Sequence, residues 1–243
     1  ARPNFMKIAP IIRAIEQVNA DEERIVYRLV HTGQHFDKEM SETFFNELNL
    51  PEPHANLEVG SGSHAVQTGK IMLGFERELT QHPADLVIVV GDANSTLACS
   101  IVTKKMHIKL AHIEAGVRSG DQKMPEEINR IVTDSISDVL WTPSPDGDQN
   151  LLKEGVAPER ITRVGNVMLD SYELMRPQIE AKSPRKEFGL NEKGYGIVTL
   201  HRPSNVDRKE TLAPLVDALK SAASKVPLLF PLHPRTRKSL ETH

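Results

Sequence analysis

Asp92 follows the apolar run "LVIVV" (86–90) after a single glycine, and Glu114 directly follows the next such run, "KLAHI" (109–113). Glu126 stands soon afterwards at the head of "PEEINR" (125–130). Acids that end neighbouring parallel strands can point into one crevice. Two acids so placed are less easily dismissed than either alone. Each acid also has an ordinary reading. Asp92 could cap a helix, Glu114 could be a loop residue, and an acid behind Pro125 suits the positive end of a helix. Glu127 fits that last reading better than Glu126 does.

Basic groups accompany these acids. Arg2, Lys7, Arg118, Arg130, Arg202 and Arg235, with His201 and His233, lie beside the same motifs, several of them next to proline. "TLHRP" and "PLHPR" repeat one arrangement, an apolar strand that ends in His with Arg close by. At strand ends such groups can hold phosphate oxygens, arginine through its planar fork. Taken singly, each is a solvated surface charge.

The elements that must position them follow from hydrophobic spacing. Residues 5–19 carry apolar side chains at helical intervals. "RIVYRLVH" (24–31) reads as a strand, residues 38–48 as a helix, and 63–80 as a helix with Ser63 at its N-cap. Strand 86–90, helix 94–105, strand 109–114, helix 126–137, strand 138–143 and a capped helix ending at Gly155 come next, and "ITRVGN" closes the series. Strand and helix alternating at this rhythm predict a parallel α/β sheet. From about residue 171 the chain is polar through "ELMRPQIEAKSPRKEFGLNEKG". A second unit then starts with strand "YGIVTLHRP", a helix over 208–223 and strand "PLLFPLHP". Two domains are expected, 1–170 and 171–243.

With 243 residues, net charge −3 and a hydrophobic content of 39%, the chain is globular and lacks the basic excess of a nucleic-acid binder. Its one cysteine, Cys99, lies on an apolar helix face and is read as core. No secretory leader and no membrane span are visible, so a reducing cytoplasm is the default. The chain opens at Ala1 and stops in a barely begun helix, which predicts a fragment. Rival motifs are weak. "GSGSHA" (60–65) satisfies a dinucleotide fingerprint but follows a poor strand. "HIE" (112–114) has no P-C-x-x-C partner for zinc. His31, His35 and Asp37 have loose metal spacing, and no metal site is assigned.

"RPNFMKIAP", "HTGQHFD", "GDANSTLA", "HIEAGVRSG", "PEEINR", "GNVMLD", "LHRPSNVD" and "HPRT" occur in this order. Together they resemble the non-hydrolysing UDP-N-acetylglucosamine 2-epimerases of bacteria and archaea. The resemblance runs through essentially the whole chain. It implies two Rossmann-like domains of the glycosyltransferase-B-like class, with helices on both faces of parallel sheets and the second domain incomplete. It implies interconversion of UDP-GlcNAc and UDP-ManNAc by elimination of UDP, through a 2-acetamidoglucal, and re-addition. No cofactor is implied, and a homodimer is.

Carried onto this sequence, the resemblance gives catalytic roles to Asp92, Glu114, Glu126 and His201. It gives substrate contacts to Arg2, Lys7, Arg118, Arg130, Arg202 and His233. Gln34 and His35 match a loop that some bacterial relatives use for a second, regulatory UDP-GlcNAc. Two alternatives stay open: a hydrolysing 2-epimerase that releases ManNAc and UDP, and a non-catalytic UDP-sugar-binding domain.

Overall fold

The structure, a computed structural model, describes residues 4–33, 48, 50–182 and 184–242. Two compact units divide the chain, Ala1–Arg176 and Pro177–His243.

Unit 1 begins with helix α1 (Phe5–Val18). Its buried stripe is Phe5, Ala9 and Ile12, packed with Leu48. Of "RIVYRLVH", only β1 (Val30–His31) forms a ladder, pairing in parallel with β2 (Ala55–Asn56). Val26 stays 83% exposed, so the β-rich composition of that run is not matched by burial. Helix α2 (His64–Gln81) starts where the Ser63 side chain accepts the Val66 N–H.

The main sheet has four parallel strands in the order β3-β4-β5-β6. These are β3 (Leu86–Val90), β4 (Lys109–Ile113), β5 (Val139–Thr142) and β6 (Ile161–Arg163). Helix α3 (Asn94–Lys105) links β3 to β4, α4 (Pro125–Ile136) links β4 to β5, and α5 (Pro145–Lys153) leads on towards β6. Each crossover returns the chain to the same edge, so β3 and β4 both end on the side where α3 and α4 begin. The core lies between α2, α3 and the sheet. Ile71, Phe75 and Leu79 meet Ala98, Cys99 and Val102 over Val87, Val89 and Leu110. Each large apolar side chain buried there contributes roughly 1.5–3 kcal/mol relative to exposure. Burial pushes the Cys99 thiol up to about 12, which makes it an inert core group at neutral pH. Strand β4 is buried from Leu110 through Ile113, His112 included.

Helix α6 (Val167–Lys182) contains the boundary between the units. In unit 2, α7 (Pro184–Glu187) is followed by β7 (Gly196–Ile197), α8 (Pro203–Val206), α9 (Lys209–Ala223), β8 (Leu228–Leu229) and α10 (Pro234–Thr242). The two strands pair in parallel over two residues each, much less than "YGIVTLHRP" and "PLLFPLHP" predict. Pro227 and Pro231, on either side of β8, have no N–H to extend the ladder. Among the described residues, no helix is long and apolar enough to cross a membrane.

Candidate active site

Asp92 and Glu114 lie just beyond the carboxyl ends of β3 and β4, which are direct neighbours. Gly91 sets the turn between β3 and Asp92. It adopts φ 69°, and its N–H donates to the Ile113 carbonyl at 3.1 Å. A Cβ added there would lie 3.0 Å from Lys7 Nζ and 3.4 Å from Glu114 Oε2. Glycine therefore supplies both the backbone angle and the space for the charged pair beside it. Glu114 also sits at φ 69°, a conformation that costs a non-glycine residue on the order of 1–3 kcal/mol. Gly116 follows at φ 76°, so close to Gly147 that an added Cβ would meet its carbonyl oxygen at 2.2 Å. The strand end is thus pinned against the start of α5.

Each acid has its own environment. Lys7 Nζ meets Glu114 Oε2 at 2.5 Å, both side chains being largely buried. Lys7 is placed by α1, and that helix carries an internal proline. Pro10 has no N–H to give to the Met6 carbonyl one turn earlier. The fully buried Ser171 of α6 supplies the missing donor through its hydroxyl. The carbonyl that Pro10 leaves open, next to Lys7, is thereby satisfied from the "GNVMLD" end of unit 1. Asn4 ties the start of α1 to the sheet by donating to the Val90 carbonyl at 2.9 Å.

Asp92 is gripped by Arg130 through Nη1. Arg130 in turn holds Glu127 through Nε and Nη2, each at 2.9 Å. Glu127 is 2% exposed and accepts the N–H groups of Ser119 and Gly120 at 2.8–3.1 Å. Burial alone would raise its carboxyl. The two backbone donors and Arg130 outweigh that and bring it down to about 2. Asn129, on the same helix, donates to the Asp92 carbonyl at 2.8 Å. Glu126 differs from its neighbour. It is half-buried on the first turn of α4, and its carboxylate makes no hydrogen bond or ion pair with any described residue.

Arg118, expected to touch substrate, is turned inward. It donates to both oxygens of Glu154, at 2.8 and 2.6 Å, and to Asp134 Oδ2 at 2.7 Å. Asp134 is 1% exposed and also accepts the Gly116 N–H at 3.0 Å. Burial pushes its carboxyl up, and His112, Gly116 and Arg118 together reverse that and hold it below the usual range. A buried carboxylate needs a cation, and Arg118 meets that need. Arg2, Gln34 and His35 lie outside the described residues.

In unit 2, His201, Arg202 and His233 are all exposed. The two imidazoles stack loosely, with centroids 5.7 Å apart and tilted by 33°. His233 Nδ1 accepts the Arg235 N–H at 3.2 Å, so a neutral His233 carries its proton on Nε2 and presents it outward. Arg235 pairs with Asp207 at 3.4 Å.

Residues 17–243 match the profile of the UDP-N-acetylglucosamine 2-epimerase family. The chain belongs to that family. A UDP-N-acetylglucosamine 2-epimerase homologue of Methanococcus maripaludis is 45% identical across the whole chain, which spans 66% of that relative's length. A UDP-2,3-diacetamido-2,3-dideoxy-D-glucuronate 2-epimerase of Pseudomonas aeruginosa is 40% identical, covering 99% of this chain and 67% of its own. The crystal structure of Methanocaldococcus jannaschii UDP-GlcNAc 2-epimerase in complex with UDP-GlcNAc and UDP superposes with a TM-score of 0.85 at 40% identity, over 99% of this chain and 66% of that one. The expected fold is borne out: Rossmann-like α/β units with parallel sheets flanked by helices, of the glycosyltransferase-B-like class.

Sequence reasoning missed Glu127, Asn129 and His112 as members of the site's framework. A signal for Glu127 was present. In "PEEINR" it stands three residues before Arg130, the spacing of an ion pair on one helix face.

Proposed function

We propose that the protein interconverts UDP-GlcNAc and UDP-ManNAc by inversion at C2. A carboxylate takes the C2 proton while the C1–O bond breaks, and the bonding pair leaves on UDP. The product of that step is a 2-acetamidoglucal. Protonation of C2 on the opposite face and re-addition of a phosphate oxygen at C1 complete the epimerisation. The observation that carries this reading is the grouping of Asp92 with Arg130 and Glu114 with Lys7 at adjoining strand ends, while Glu126 at the head of α4 has no described partner. Two acids held by cations stay fixed in place, and a third is free to exchange a proton. Lys7 and Arg130 also bring positive charge to the place where the leaving diphosphate would accumulate negative charge. His201, Arg202 and His233 are assigned to the diphosphate as exposed donors. Arg130 is assigned to orient Asp92, and Arg2 to the same substrate.

The reading extends to a cytoplasmic homodimer, which light scattering of the purified protein tests. Full-length protein is incubated with UDP-GlcNAc in D2O and followed by NMR. UDP-ManNAc with deuterium at C2 is the expected product. Free ManNAc and UDP without UDP-ManNAc would instead assign the hydrolysing reaction. The Pseudomonas relative acts, by its name, on a 2,3-diacetamido glucuronate sugar. That nucleotide sugar is therefore run in parallel, and faster turnover of it would replace UDP-GlcNAc as the assigned substrate.

A further inference from the structure

His112 is the only histidine among the described residues that is fully buried, and both its ring nitrogens face acceptors. Nδ1 lies 2.6 Å from Asp134 Oδ1, and Nε2 lies 2.9 Å from the Gly91 carbonyl oxygen. A neutral imidazole has one N–H and can satisfy only one of them. The other contact would then set a lone pair directly against an oxygen. Asp134 cannot supply the missing proton without loss, because Oδ2 is already engaged by the Gly116 N–H and by Arg118 in the manner of an ionised carboxylate. Arg118 is shared between the buried Asp134 and the exposed Glu154, and an imidazolium adds a second cation beside Asp134.

The position of the second contact matters. The Gly91 carbonyl belongs to the peptide unit that leads into Asp92, so its direction sets where Asp92 begins. The next carbonyl, that of Asp92, is held by Asn129. We propose that His112 is a buried imidazolium and a positioning residue. Its Nδ1–H is anchored by Asp134, and its Nε2–H fixes the Gly91–Asp92 peptide and so the aim of the Asp92 carboxylate. The catalytic half of this inference rests on the epimerase reading above; the charge state does not.

Two measurements on the full-length protein test it. Histidine labelled with nitrogen-15 reports each ring nitrogen directly. At pH 7.5 both nitrogens of His112 are expected to show bonded protons, and Asp134→Asn is expected to return the ring to a single proton. One bare nitrogen in the wild-type protein overturns the imidazolium, whatever the activity. The second measurement separates the two contacts. Gln at 112 can place its amide N–H near the former Nε2, whereas Asn can place one only near the former Nδ1. His112→Asn is expected to lower kcat about a hundredfold, the order expected when a reacting group is misplaced, with UDP affinity by calorimetry nearly unchanged. His112→Gln is expected to recover at least about tenfold of that loss. Equal kcat for the two variants, or kcat and affinity falling together, overturns the positioning role. If wild-type protein fails to epimerise UDP-GlcNAc, the function reading falls, while the nitrogen-15 result still decides the charge.

Discussion

Units 1 and 2 carry their polar groups in opposite ways. In unit 1 the Asp92 and Glu114 acids are wired to cations, and one of those cations, Arg130, is wired on to buried Glu127, which holds two backbone N–H groups. In unit 2 His201, Arg202 and His233 are exposed, and the two imidazoles stack loosely in a unit whose strands pair over two residues. Breaking and remaking a bond to carbon needs groups fixed to a fraction of an ångström. Gripping a charged, rotatable diphosphate needs only donors of the right sign within reach. The contrast therefore separates residues whose removal damages geometry from residues whose removal only weakens attraction.

Glu126 gives the largest break. Glu126→Gln should lower kcat by about 10²–10⁴-fold, the usual contribution of a general acid or base, while leaving thermal stability and UDP affinity close to wild type. Near-normal turnover would remove it from the chemistry and leave unit 1 without a free acid.

Glu127 comes next, with an effect on stability. Glu127→Ala should cost about 3 kcal/mol in urea unfolding, because Arg130 and two backbone donors lose a buried acceptor. Its pH signature has a definite sign. The folded carboxyl, at about 2, lies below its ordinary value of 4.5. Its contribution is therefore complete above the ordinary value and is lost as pH falls through that range towards 2. Glu127→Gln should flatten stability against pH in that window, and an unchanged acid limb would contradict the clamp.

A smaller effect is expected at Ser171. Ser171→Ala should cost about 1–2 kcal/mol by leaving the Met6 carbonyl unpaired. Pro10→Ala restores an N–H inside α1, so the same serine change made in that background should cost markedly less. Equal costs in both backgrounds would show that Pro10 and Ser171 are not coupled.

The smallest effect on folding is reserved for unit 2. Arg202→Ala and His201→Ala should leave stability within roughly 0.5 kcal/mol of wild type, as is usual for exposed positions. UDP affinity should fall in both and become less sensitive to salt in Arg202→Ala. Loss of folding in either variant would erase the distinction between the units.

The strands and helices of unit 1 from residue 86 onward were legible because long apolar runs and capping residues agree there. β3 and α3 begin and end where the pattern places them. Asp92 and Glu114 were legible as neighbours because strand ends in a parallel sheet converge. The framework behind them was not. Nothing in the period of β4 distinguishes His112 from an apolar neighbour, since its partners come from Gly91 and from α4. Glu126 and Glu127 are alike as residue types; the helix-start reading already favoured Glu127, and its burial and hydrogen bonds set it apart. Arg118 shows the converse, a cation in a promising motif that is consumed by Asp134 and Glu154. Strand length in unit 2 was over-read, because β-rich composition says nothing about where a pairing partner stops.

The bond from Ser171 to the Met6 carbonyl joins residues separated by nearly the whole of unit 1. During synthesis the chain emerges from its N-terminus, so α1 is made long before the serine that completes it. Until then the helix holding Lys7 carries an open carbonyl, and its hold on Glu114 is unfinished. The Lys7–Glu114 pair is thus settled only after residues made much later, and a nascent chain released before Ser171 has emerged should possess the sheet without a settled Lys7.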